Sequence, residues 1–215
     1  MAIKRDILKE LKNKIITLPN EITEANFIKE NKSNASFYVR PSHLNNLYLK
    51  EEDFKQYKPF FEAGNGKELL IKKSWGNICK MQSLGSSSAM IVNLIGMKKN
   101  ELLTIKNNKF GIPTGRYYVS FERKLRTLNT DRSEKCPAHV DGFLLSEDKE
   151  TVVLIESKML EYLDDEPKTV SDSYLEEKNY YSNGDKFVSC FSNASKMFKN
   201  LDYPQLIKHV LGFYN

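Results

Sequence analysis

Four consecutive large aliphatic residues, Val152-Val153-Leu154-Ile155, run directly into the triplet Glu156-Ser157-Lys158. A continuous apolar run of this kind predicts a central strand covered on both faces. The triplet falls where that strand ends, which is where a sheet delivers functional groups into solvent at its edge. Because side chains alternate along a strand, Glu156 and Lys158 project from one face and Ser157 from the other.

Two further strand-like segments precede it, Arg116 to Leu125 and Ala138 to Leu145, and the third is bounded as Thr151 to Met159. Asp148-Lys149 supplies a compact turn, so the last two segments are expected to pair antiparallel. That pairing brings Asp141, within His139-Val140-Asp141-Gly142-Phe143, next to Glu156. Upstream, Ser86 to Met97 is apolar on nearly all sides after a run of serines and reads as a buried helix with a serine N-cap, a buried strand being the alternative.

The remaining chain is less informative. Ile3, Ile7, Leu8, Leu11 and Ile15 recur at helical spacing, so the chain is predicted to open with a packing helix that ends near Leu18-Pro19. Residues 20–80 are polar, aromatic and irregular, and read as short helices and loops. Gly64-Asn65-Gly66-Lys67 lacks the spacing of a phosphate loop and no hydrophobic strand leads into it. Lys98 to Thr114 reads as a charged connection with turn chemistry at Asn107-Asn108 and Gly111. After an acidic stretch at Asp164-Asp165-Glu166, helix is expected around Ser173 to Tyr180 and Pro204 to Gly212.

Two carboxylates held together near a sheet edge repel, and a hard divalent cation with oxygen ligands resolves the repulsion. Mg2+ is the natural candidate, with Mn2+ as a substitute. The cation polarises a phosphate oxygen and acidifies a bound water, while a nearby lysine positions that water and balances developing charge. Acid, acid and lysine together suit phosphodiester hydrolysis. Taken alone, an ExK triplet is more often a solvated strand end; the apolar run, the hairpin partner and the upstream helix change that reading.

Asp141 followed by Glu156-Ser157-Lys158 at the end of an apolar strand resembles the D...(D/E)XK motif of the PD-(D/E)XK, or restriction-endonuclease-like, nuclease superfamily. The resemblance runs from about Ser83 to Gly212. It implies an α/β fold with a mixed central sheet flanked by helices, to which this chain adds a helical N-terminal region. It also implies that Asp141 and Glu156 hold the metal together with the backbone carbonyl of Ser157, and that Lys158 orients the attacking water. Ser86-Ser87-Ser88-Ala89, Asn93-Leu94-Ile95-Gly96, Phe121-Glu122 and Val140-Asp141-Gly142 are similar to segments of a bacterial group within it. Proline does not immediately precede Asp141, although Pro137 is near, and no final strand is evident after the last helix.

On this reading residues 1–215 form a single nuclease-like domain, 1–82 being its helical and irregular N-terminal part and 83–215 its catalytic core. The expected activity is Mg2+-dependent hydrolysis of DNA phosphodiesters, with Glu122 as a third carboxylate for a second ion or water. The alternative is a catalytically inactive nucleic-acid-binding or assembly protein on the same scaffold. Restriction-type enzymes often dimerise to cut two strands, so a homodimer is an open expectation. Glu161 reads as solvated or paired with a lysine. Arg123, Lys124, Arg126, Arg132 and Lys135 are candidates to line a phosphate groove, with a solvated loop equally compatible. Trp75, Tyr117 and Tyr118 read as core aromatics before stacking platforms, and His139 as structural.

The excess of 33 Lys and Arg over 28 Asp and Glu gives a formal charge of +5, which suits a phosphate partner without assigning one. Cys79, Cys136 and Cys190 are widely spaced and form no CxxC pair, so reduced thiols are expected. No apolar run approaches membrane-spanning length and the N-terminus is not signal-like, which predicts a cytoplasmic protein without a membrane partner.

Overall fold

The computed structural model describes residues 2–17, 27–29, 37–39, 59, 80–96, 101–130, 137–158, 170–197 and 202–215. The chain divides into two compact units, Met1–Glu122 with Asp141–Asp164, and Arg123–Val140 with Asp165–Asn215. The boundaries fall within two strands.

The first unit opens with helix α1 (Ala2–Thr17), the predicted amphipathic helix, which buries Leu8 and, one turn on, Lys12. Strands β1 (Phe27–Lys29) and β2 (Phe37–Val39) form a small antiparallel pair inside a region expected to hold only short helices and loops. Helix α2 (Ser87–Ile95) starts at Ser86, whose side chain accepts a hydrogen bond from the Ala89 N–H. The serine cap is therefore as predicted. The helix is not buried all round: Ala89, Ile91 and Val92 face the core, whereas Met90 and Leu94 are exposed.

A four-stranded sheet follows in the order β3 (Leu103–Ile105), β4 (Gly115–Leu125), β5 (Ala138–Ser146) and β6 (Val152–Ile155). Lys98 to Thr114 thus contains a short strand where a connection was expected. Its three residues pair with β4, placing Leu103 opposite Tyr117. Short local connections allow antiparallel neighbours, and the sheet is antiparallel where a mixed one was expected. The β6 run also departs from its expected role. Among the described strands it lies at the end of the order, and its four residues are half-buried.

The β5–β6 turn uses the predicted chemistry. Lys149 adopts φ of 66°, while Ser146 Oγ donates to Asp148 Oδ1 (2.5 Å) and accepts from the Thr151 N–H (2.8 Å). Between α2 and the sheet, Met81, Ala89, Ile91, Val92 and Phe121 form the core, with Ile95, Val119 and Ile155 packed around them. Gly142 marks a close approach. A Cβ placed there would lie 3.3 Å from both Ile91 Cγ1 and Ile155 Cβ.

The second unit packs around Leu128, Tyr174, Tyr180, Phe191 and Leu211. Helix α3 (Gly184–Met197) has no counterpart in the sequence reading, and the helix expected over Ser173 to Tyr180 is a pair of single 3-10 turns, Asp172–Tyr174 and Glu177–Asn179. Helix α4 (Tyr203–Tyr214) covers the predicted Pro204 to Gly212 segment and is capped by Asp202, which accepts from the Gln205 N–H. Buried polar groups are paired here. Tyr180 OH donates to the Tyr174 carbonyl at 2.6 Å, and His209 Nε2 lies 2.8 Å from the His139 carbonyl.

Among the described residues no helix is long and apolar enough to cross a membrane.

Candidate functional site

The β5–β6 register decides the first relationship. The last paired positions are Gly142 and Ile155, and Asp141 and Glu156 lie one residue beyond them on the two chains. Opposite residues of an antiparallel pair share a face. Gly142 and Ile155 point toward α2, which assigns Asp141 and Glu156 to the other face.

Lys158 joins them. Its ammonium lies 2.6 Å from Glu156 Oε1, and the Glu156 side chain retains only 9% exposure against 31% for Lys158. The remaining Glu156 oxygen, Oε2, is buried and accepts no hydrogen bond. On the other acid, Asp141 Oδ2 accepts from the Ser157 N–H at 2.7 Å. Two contacts are thus in place, Lys158 on Glu156 and the Ser157 N–H on Asp141.

Ser157 points away from these groups, as alternation requires, and is 5% exposed. Its hydroxyl donates to the Ser87 carbonyl in the first turn of α2 at 3.1 Å. One turn-forming segment of the helix thus touches the residue that holds Asp141.

Glu122 reaches the same helix turn from β4. Arg116 and Glu147 mark the β4–β5 register: the Glu147 N–H donates to the Arg116 carbonyl at 2.9 Å, and their side chains pair at 3.2 Å. Strand alternation would send Phe121 and Glu122 to opposite faces, yet both are buried. Glu122 achieves this with φ of 51°, a left-handed conformation that a residue with a Cβ seldom adopts. Its Oε1 then accepts from Ser88 Oγ at 2.8 Å.

The carboxylate of Glu122 is accordingly engaged at α2. Among the described residues no group of three or more His, Cys, Asp and Glu side chains is gathered for a metal ion. Mg2+ does not require such a group, because it commonly takes one or two carboxylates and keeps several waters. Asp141 and Glu156 on one face, with the Ser157 carbonyl between Glu156 and Lys158 in sequence, are a hard oxygen donor set of the right kind.

The serine run of α2 was expected to supply an N-cap. Only Ser86 caps; Ser88 binds Glu122, and the Ser87 carbonyl receives Ser157. The signal available in sequence was the serine run itself, which does not distinguish these uses.

Tyr117 is buried and donates to the Pro113 carbonyl at 2.7 Å, whereas Tyr118 is exposed. Arg123, Lys124 and Arg126 are exposed residues of the second unit, where Arg126 lies over the Tyr181 ring at 5.3 Å. Cys190 is a free, exposed thiol. Trp75, Cys79, Arg132, Lys135, Cys136 and Glu161 lie outside the described residues.

Protein-family models, curated proteins and solved structures were all compared with the chain, and none matches. The site must be read from its own geometry.

Proposed function

We propose that this protein is a metal-dependent phosphodiesterase acting on DNA, of the PD-(D/E)XK type. One observation carries the reading: Asp141 and Glu156 lie one residue beyond the last paired positions of β5 and β6, Gly142 and Ile155, with Lys158 on Glu156. Neighbouring carboxylates call for positive charge between or beside them. In the present arrangement Lys158 supplies part of it.

Asp141, Glu156 and the Ser157 carbonyl would hold Mg2+ or Mn2+. When bound, the ion supplies Lewis acidity toward a phosphate oxygen and lowers the pKa of a water. The chain's own groups do the rest. The Ser157 N–H fixes one oxygen of Asp141, and the low exposure of Glu156 keeps its charge poorly screened. Lys158, the more exposed partner, is able to leave Glu156 for a water or phosphate oxygen. The net charge of +5 favours a polyanionic substrate.

A second reading is an inactive nucleic-acid-binding protein on the same scaffold, in which Lys158 stays paired with Glu156. The two separate on turnover. Linear, circular and single-stranded DNA incubated with Mg2+ or Mn2+ should be cleaved by the wild-type chain and spared by Asp141→Ala and Lys158→Ala. Binding of DNA without cleavage under every metal condition favours the second reading.

A further inference from the structure

The middle residue of the triplet does more than space Glu156 from Lys158. We propose that Ser157 is a positioning residue, whose hydroxyl locks the acid-bearing segment to the first turn of α2; the inference rests on the phosphodiesterase reading above.

Ser157 makes two hydrogen bonds in opposite directions. Its N–H holds Asp141 Oδ2 at 2.7 Å, and its Oγ donates to the Ser87 carbonyl at 3.1 Å. The second bond is not needed to satisfy the helix, because a carbonyl at the start of α2 already accepts from the N–H four residues on. It uses that oxygen's other lone pair. What it does is fix the peptide whose N–H orients Asp141 and whose carbonyl lies between the acid and the lysine.

The neighbouring serine does the equivalent for β4. Ser88 Oγ holds Glu122 Oε1 at 2.8 Å, so consecutive residues of one helical turn are tied to both flanking strands. Ser86, by capping α2, makes that turn rigid. The helix start therefore acts as a jig that sets where Asp141 stands relative to Glu156. A hydroxyl serves here because it is small enough for a site with 5% exposure and can donate toward the helix.

The test compares Ser157→Ala, Ser157→Thr and Ser88→Ala in the full chain, reading Mn2+ affinity by calorimetry alongside kcat and KM for DNA cleavage. Supporting groups behind metal ligands typically contribute about 10- to 100-fold in metal affinity or activity. Ser157→Ala is expected to weaken Mn2+ binding and lower kcat by that amount with KM little changed, while Ser157→Thr, which keeps the hydroxyl, restores both. A purely structural serine would lower the melting temperature of Ser157→Ala and leave Mn2+ affinity and kcat unchanged, which overturns the inference but leaves the phosphodiesterase reading standing. Wild-type protein that neither binds Mn2+ nor cleaves overturns both. If Ser157→Ala does not fold, Ser157→Thr against Ser157→Val, matched in volume, decides the same point.

Discussion

Ser88 Oγ donates to Glu122 Oε1 at 2.8 Å, and the residue it holds is a buried glutamate with φ of 51°. A left-handed backbone costs a residue with a Cβ about 1–2 kcal/mol. Strain of this kind persists where surrounding interactions over-determine it, and it clusters at functional sites. The Ser88 bond is one such interaction.

Glu122→Gly and Glu122→Ala both lose the carboxylate, but only glycine takes the left-handed conformation without penalty. Allowing for the greater chain entropy of unfolded glycine, Glu122→Gly is expected to be more stable than Glu122→Ala by about 0.5–1 kcal/mol. Urea denaturation of the two variants checks this, and equal stabilities would remove the argument for strain.

Ser88→Ala removes a hydrogen bond to a buried carboxyl oxygen. The expected loss is about 1.5–3 kcal/mol, measured by urea midpoint with an unchanged slope. A loss within a few tenths of a kcal/mol would mean that other partners of Glu122 carry it.

Two glycines limit packing. At Gly142 an added Cβ meets Ile91 and Ile155 at 3.3 Å, and at Gly212 it meets Leu125 Cβ at 2.6 Å. Gly142→Ala should cost about 1–3 kcal/mol through overpacking. Gly212→Ala should also destabilise, even though alanine is the better helix former by about 1 kcal/mol. Thermal unfolding of both tests it, and stabilisation by Gly212→Ala would contradict the close approach.

Asp148 is held below the usual carboxylate range by the Ser146 hydroxyl first and then by the Glu150 N–H. A carboxyl depressed in the folded state stabilises the fold above its unfolded pKa, and that stability is lost as pH falls through the lower folded value. Asp148→Asn should therefore lose less stability than wild type on acidification below about pH 4, the ordinary range of the group. Because Asp148 is fully exposed, the effect is small, and NMR titration of its side chain is the direct check.

The strong local signals were legible in the sequence. The serine-capped α2, the strands carrying Asp141 and the apolar run, and the Asp148-Lys149 turn each follow from composition a few residues long. The antiparallel register of β5 and β6 followed from them, because a tight turn and period-two alternation fix register. Strand β3 was not legible: three residues in a charged stretch are ordered by pairing with β4 rather than by their own pattern. Nor was α3, whose serines and asparagine have weak helix propensity and whose order comes from burial of Phe191. The turn of Glu122 toward α2 breaks the alternation on which strand reading depends, so no pattern of residue types announces it.

The central claim is that Asp141, Glu156 and Lys158 form a metal-dependent hydrolytic site. The most direct measurement is the rate of cleavage of duplex DNA across an Mn2+ titration, for wild type and Glu156→Gln, with folding of both confirmed by circular dichroism. The account predicts a wild-type rate that saturates with Mn2+ and vanishes with chelator, and a fall of at least about 100-fold in Glu156→Gln. Equal rates in the two proteins, or cleavage indifferent to metal, would contradict it.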